Sequence, residues 1–342
     1  MYSYKNETKL SFEQMLEIEK NIYDNEIYTG NPTNVICNVE TVLKRKVCRF
    51  SDKEYNMPQN IFLIKGFDGH IIVGRKLRSV LHIENKINAI NCSMITSDML
   101  IGILYNKGQI DRDVWVEYFP FHKEEKKSIF DKIKLDNQIE IIYPFIYRDF
   151  YTGLEEVTSK DGWDIFPEKV KYLGYGEEHL RDYSIKVIDQ YISSNKDKKN
   201  IIMFDPACST GQFLYSVKKV YPQIKTIGQD LSIQMVNYAR KYVDEIYYGD
   251  SITTTIKDKS IDIIVFRFLN SEVVSQAYAK KLFKVLIKKI SDNGIAILIG
   301  HTPILLNSTD FNLEGYDIVQ SCGYSEYRDS IFQYYILKRR IR

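Results

Sequence analysis

From about Asn200 onward the chain alternates continuous apolar runs with amphipathic stretches, and three of the runs end in an aspartate. A run that is apolar at every position must be covered on both faces, as in a parallel sheet flanked by helices. IIMFDPA (201–207) is the first such run, and GQFLYSVKKV (211–220) follows with helical spacing at Phe213, Leu214 and Val217. IKTIGQD (224–230) leads into SIQMVNYARKY (232–242), a helix with Ser232 as its N-cap. EIYYGD (245–250) closes on the third acid, and IDIIVFRF (261–268) is a fourth strand before the long helix predicted over 271–290. GIAILIG (294–300) is a fifth strand, and YDIVQSCG (316–323) with IFQYYILKRR (331–340) forms a closing pair. The pattern predicts an α/β fold, a doubly wound parallel sheet with an antiparallel edge strand.

The turn after the first strand reads Asp205-Pro206-Ala207-Cys208-Ser209-Thr210-Gly211. Its small residues let the backbone approach a ligand at the start of the following helix, where such sheets bind ligands. A single glycine cradles a diphosphate poorly, so this is not the GxGxxG of a dinucleotide site. Asp230 ends the second strand, where a carboxylate accepts hydrogen bonds from ribose hydroxyls. Asp250, in YYGDS, ends the third, where an adenine amino group would sit. Three acids at successive strand ends suit a cationic, non-phosphorylated nucleoside. The alternative is that they only cap helices and sheet edges.

DPACSTG, GQDLS and YYGDS, in that order and spacing, resemble motifs one to three of the class I S-adenosylmethionine (SAM)-dependent methyltransferases over about residues 165–342. The resemblance implies a Rossmann-like, seven-stranded sheet and SAM as cofactor. It puts Asp205, Cys208, Ser209 and Gly211 at the methionine end, Asp230 with Leu231 at the ribose, and Asp250 with Ser251 at the adenine. DPACSTGQF is also similar to the DPACGTGGF of DNA adenine methyltransferases. Those enzymes carry an NPPY-type tetrapeptide after strand four, where this chain has Phe266-Arg267-Phe268-Leu269-Asn270. Arg267 there is a candidate for the cofactor site or for a substrate carboxylate, with a plain surface charge as the other option.

Composition points the same way. Lys plus Arg (47) nearly balances Asp plus Glu (45), and a net charge of +2 supplies no field for nucleic acid or membrane surfaces. The expected substrate is a small molecule. No apolar run approaches the ~20 residues of a membrane span, and the polar MYSYKNETKL start is no signal peptide. Five scattered cysteines without a CxxC pair read as reduced thiols, so a cytoplasmic protein is expected. The five histidines are widely separated, and no metal site is expected.

With 342 residues, two domains are expected, divided near residue 160. Residues 1–160 read as an α+β domain with one antiparallel sheet. LSFEQMLEIEKNIY (10–23) is a short helix with a Ser11/Gln14 capping box, and IFLIKGFDGHIIVGRKL (61–77) is a hairpin turning at Asp68-Gly69. Further strands are predicted in 87–95, 111–119 and 137–147. The order of segments over about residues 10–148 resembles the chorismate lyase-like fold. That resemblance makes Arg75, in VGRKLRS, the counterpart of a substrate-binding arginine. The position of that family's catalytic glutamate holds Tyr143 or its neighbours Ile142 and Pro144, with Glu140 out of phase, so lyase chemistry is not expected. Substrate recognition or homodimerisation through this segment is.

Between the halves, Phe166, Tyr172, Tyr175 and Tyr183 are candidates for a lid over the cofactor, with ordinary helix packing as the alternative. Methyl transfer is an in-line displacement on a sulfonium and needs an aligned nucleophile with water excluded. Tyr175, His179 and His301 are the candidate catalytic bases. Three functions are compatible with these residues. The lead is methyl transfer to a small molecule. The second uses the 3-amino-3-carboxypropyl arm of SAM, transferred to an acceptor or cyclised to azetidine-2-carboxylate, and leaves methylthioadenosine. The third is a non-catalytic sensor of an aromatic acid.

Overall fold

The computed structural model describes residues 37–51, 61–76, 93–110, 113–136, 139–146, 155, 157, 177–271, 273–300, 303–326 and 329–340. Two compact units form, one from residues 1–155 with 324–333, the other from 156–323 with 334–342. The predicted helix at 10–23 lies outside the described residues.

The first unit is a six-stranded sheet in the order β1-β5-β4-β3-β2-β6, antiparallel at each pairing. Its strands are β1 (Cys48–Ser51), β2 (Ile61–Phe67), β3 (His70–Arg75), β4 (Leu100–Ile110), β5 (Asp113–Pro120) and β6 (Glu140–Ile142). A short helix α1 (Val39–Val42) precedes them, and α2 (Glu125–Leu135) covers the sheet with Ile129, Phe130 and Ile133 fully buried. The β2–β3 turn falls at Asp68-Gly69 as predicted, with φ of 48° and 74°. Both values are left-handed, as a two-residue hairpin turn of matching twist requires. The strand predicted over 137–147 shrinks to β6, because Pro144 has no N–H to continue a ladder. Of the strand predicted over 87–95, the described part gives one bridge, Ile95 to Ile331. Residues 324–333 belong to this unit through that bridge, through Gln333 Nε2 donating to the Ile141 carbonyl at 3.1 Å, and through Asp329. Asp329 accepts from Lys127 at 2.5 Å and Lys134 at 2.6 Å, and the two ammonium groups outweigh partial burial and pull it down to about 2.

Gly102 sits where a Cβ would lie 2.2 Å from the Phe119 carbonyl oxygen across the β4–β5 ladder. A backbone atom in a paired strand cannot step aside. Gly102→Ala should therefore destabilise this unit by roughly 2–3 kcal/mol, the upper part of the range for overpacking, read as a lower urea midpoint at unchanged m-value.

The second unit is a seven-stranded sheet in the order β12-β13-β11-β10-β7-β8-β9. The strands are β7 (Ile202–Asp205), β8 (Lys225–Asp230), β9 (Glu245–Tyr248), β10 (Ile261–Phe266), β11 (Ile290–Ile299), β12 (Tyr316–Ser325) and β13 (Ser330–Arg339). Pairings from β9 through β11 are parallel, and β13 runs antiparallel to β11 with β12 outermost. The helices are α3 (Glu178–Ser194), α4 (Gln212–Val220), α5 (Ile233–Ala239), α6 (Gln276–Leu286) and α7 (Ser308–Leu313).

Every residue of β10 is buried, including Asp262, which accepts from the Lys198 ammonium, from Ile202 N–H at 2.9 Å and from Ser291 Oγ at 3.0 Å. An aromatic chain, Phe266–Phe283–Phe311–Tyr335, ties β10, α6, α7 and β13 together at centroid spacings of 5.6, 5.3 and 5.0 Å. The helix predicted over 271–290 is shorter at both ends. Ser275 Oγ accepts the Tyr278 N–H and sets its start, while Ile290 already pairs with Ile261 as the first residue of β11. The register then shifts before Ile263 pairs with Ile295, so β11 begins four residues earlier than its apolar run GIAILIG. Tyr183 stands edge-on to Tyr334 at 4.9 Å, and its hydroxyl accepts from Gln320. These contacts pack α3 against the sheet. The other three lid candidates lie outside the described residues. Among the described residues no helix is long and apolar enough to cross a membrane, and no cluster of metal-ligating side chains occurs.

Candidate active site

The carboxyl ends of β7, β8 and β9 bring the three sequence-predicted acids to one edge of the sheet. The turn after β7 reverses tightly, with Ser209 at φ 52° and Gly211 at φ 76°. Gly211 is required twice over: the angle suits glycine, and a Cβ there would meet Val243 Cγ2 at 2.8 Å. Asp230 holds this turn to the next one. Its Oδ2 accepts the Ser209 N–H at 2.8 Å and its Oδ1 the Ser232 N–H at 2.9 Å. Each carboxylate oxygen retains a lone pair, so two hydroxyls of a ribose are still accommodated. Burial pushes the Asp230 carboxyl up, and the two backbone donors oppose that. Leu231 beside it is 44% exposed, an apolar surface that a flat ring can cover.

Asp250 accepts the Ile252 N–H at 3.0 Å and the Tyr278 hydroxyl at 2.5 Å. Burial and the Asp250 charge push Tyr278 up to about 12, so it stays a donor near neutral pH. Gln229 Nε2 donates to the Gly249 and Asp250 carbonyls at 3.2 Å each and fixes the same loop, while the Ser251 hydroxyl donates to the Pro206 carbonyl.

At the other end lies a buried ion pair. Arg267 Nε donates to Asp205 Oδ2 at 2.9 Å, and Nη2 to the Cys208 carbonyl at 3.3 Å. Burial pushes the Asp205 carboxyl up and Arg267 opposes it; burial also disfavours the charged guanidinium, but Asp205 and Glu177 together hold it above its ordinary range. Cys208 is buried, and its thiol packs where a Cβ on Gly228 would lie 2.8 Å from Sγ. Burial and the neighbouring carboxylates keep that thiol protonated, so Cys208 serves the turn through its backbone.

Of the candidate bases, His179 is the second residue of α3 and partly exposed, while Tyr175 and His301 lie outside the described residues. In the first unit, Arg75 is buried with its guanidinium 4.8 Å from the Phe50 ring centroid. Two residues of the site had no motif to announce them. Tyr278 is an ordinary position in the first turn of α6. Glu177, just before α3, approaches Arg267 at 3.8 Å, and its only signal is the break in helical spacing at GYGEEH.

A sheet of this strand order, with a small-residue turn after its first strand and acids closing its first three, is the Rossmann-like fold of the class I SAM-dependent methyltransferases. Over 250 residues the chain is 32% identical to isonocardicin synthase of Nocardia uniformis subsp. tsuyamanensis, a match covering 73% of this chain and 80% of that protein. The chain belongs to the isonocardicin synthase family of enzymes. Similar solved structures include a SAM-dependent methyltransferase from Aquifex aeolicus, 16% identical with a TM-score of 0.38, covering 51% of this chain and 99% of that one. A SAM-bound amino-pentose methyltransferase from Micromonospora echinaspora is 12% identical with a TM-score of 0.40, covering 52% of this chain and 98% of that one. No protein-family model matches the chain.

Proposed function

We propose that this enzyme is a SAM-dependent transferase acting on a small molecule, and that the group it moves is the 3-amino-3-carboxypropyl arm. Asp230 receives the ribose hydroxyls, Asp250 and Ser251 the adenine, with Leu231 beneath the ring. The observation that carries the SAM reading is the Asp205–Arg267 pair beside Glu177, which concentrates charged groups at the end of the site where the amino-acid arm must lie in either reaction. The relative's name supports the choice of group, since it denotes a synthase defined by its product rather than a methyltransferase. Methyl transfer is the second reading, on the same cofactor residues.

In arm transfer, a lone pair of the acceptor attacks the carbon γ to the carboxylate. The bond from that carbon to sulfur breaks, its electron pair stays on sulfur, and methylthioadenosine leaves as a neutral thioether. An acceptor hydroxyl or amine gives its proton to a base, for which His179, Tyr175 and His301 are the candidates. Residues 1–160 are proposed to recognise the acceptor or to pair two copies of the chain, with Arg75 as a carboxylate partner.

Incubating the pure protein with SAM and an extract of small molecules, and following co-products by mass spectrometry, tests the choice. Methylthioadenosine accumulating with an acceptor heavier by the arm is the expected result. S-adenosylhomocysteine as the co-product would establish methyl transfer instead. Methylthioadenosine formed from SAM alone, with a new cyclic amino acid, would identify cyclisation.

A further inference from the structure

Motif resemblance puts Asp205 at the methionine end of the ligand, but the packing around that residue encloses it. Asp205 has 0% side-chain exposure; its Oδ1 takes the Ala207 N–H at 3.1 Å and its Oδ2 takes Arg267 Nε. Arg267 lies over it and is 18% exposed, as is Glu177. The guanidinium is held on three sides: by Asp205, by the Cys208 carbonyl, and by the Phe213 ring, whose centroid is 5.2 Å from Cζ. Its Nη1 is the group that faces Glu177, at 3.8 Å, longer than a hydrogen bond. Opposite charges thus face each other as an ion pair without a hydrogen bond, both partners mostly buried, beside the Asp205–Arg267 pair that is neutral in itself.

We infer that Arg267 and Glu177 form a clamp for the zwitterionic end of the donor: Arg267 takes its α-carboxylate, Glu177 takes its α-ammonium, and Asp205 is a positioning residue that fixes the guanidinium without touching the ligand. The inference rests on the SAM reading above. A carboxylate and an ammonium on one carbon present their charges side by side, as the clamp does. A net positive donor also gains from the carboxylates of Glu177, Asp230 and Asp250. The clamp fixes the carbon whose neighbour but one is attacked, so it aligns the arm as well as binding it.

Calorimetry with three nucleosides tests this on the full chain: SAM, decarboxylated SAM, which keeps the ammonium and lacks the carboxylate, and methylthioadenosine, which lacks the arm. Glu177→Gln should weaken SAM and decarboxylated SAM by roughly tenfold each and leave methylthioadenosine unchanged, the loss of one charged hydrogen bond. Arg267→Lys and Asp205→Asn should weaken SAM alone by a similar factor. Should the Arg267 variant not fold, the three affinities of Glu177→Gln decide the matter. The clamp is overturned if Glu177→Gln weakens methylthioadenosine as much as SAM, or if Asp205→Asn weakens decarboxylated SAM while Glu177→Gln does not. Wild-type protein that binds SAM no better than methylthioadenosine also ends the clamp but keeps the nucleoside site. Wild-type protein that binds none of the three ends the SAM reading itself.

Discussion

Arg267→Met should cost about 3–5 kcal/mol of stability at neutral pH, the penalty for leaving a buried carboxylate without its partner. The substitution keeps much of the packing against Phe213 and removes the donors to Asp205 and the Cys208 carbonyl. What remains is an enclosed Asp205 bonded to the Ala207 N–H. Burial already pushes this carboxyl up with Arg267 present, and without it nothing of that size opposes the rise. The sign of the pH dependence follows. A carboxyl whose folded-state pKa is raised binds its proton more tightly folded than unfolded, so its contribution to stability is present at low pH and is lost as pH rises. The deficit of the variant should therefore shrink as pH falls toward the range of Asp205, and adding Asp205→Asn should recover a large part of it at neutral pH. Urea unfolding at two pH values, on the single and double variants, checks both. A deficit independent of pH would mean that Arg267 acts through packing alone.

Asp230→Ala should reduce SAM affinity by two orders of magnitude or more. The proposed ribose site gives Asp230 two hydroxyls to accept from, each worth ~1.5–3 kcal/mol as a charged hydrogen bond, and the variant would lose both. The side chain also fastens the Ser209 and Ser232 N–H groups, so its removal frees the turn after β7 from the one after β8. Isothermal calorimetry should show the loss for SAM and for methylthioadenosine alike, because both carry the ribose. That pattern separates Asp230 from the arm clamp. Unchanged affinity would remove the ribose assignment. In wild type, affinity should weaken as pH drops into the raised range of Asp230, since a protonated carboxyl accepts fewer hydrogen bonds.

Much of the second unit was legible because its strands are apolar throughout and its helices carry periodic faces; β7, β8 and β10 fall within a residue or two of their runs. The long helix before β11 was not, because Ile287 and Ile290 continue its apolar spacing while the chain has already turned into a strand. Apolar periodicity cannot separate the end of a helix from the start of a buried strand. The three acids stood out by position, each closing a run. Glu177 and Tyr278 did not, since what makes them matter is a distance across the fold, to Arg267 and to Asp250. In the first unit the Asp68-Gly69 turn was readable from its dipeptide. The short β6 was readable only by weighing Pro144 against the apolar run around it.

The path of the chain constrains how the molecule is made. It leaves the first unit at residue 155, builds most of the second, and returns for residues 324–333 before finishing in the second. The bridge to Ile95, the lysine partners of Asp329 and the Gln333 bond to Ile141 are thus supplied by a segment that the ribosome delivers only after residues 156–323 of the second unit. The first unit is begun before the second, yet it stays incomplete until most of the second has been made. A fragment ending at residue 155 lacks a native part of its own unit, so excising the first domain at the apparent linker would yield an unfinished protein.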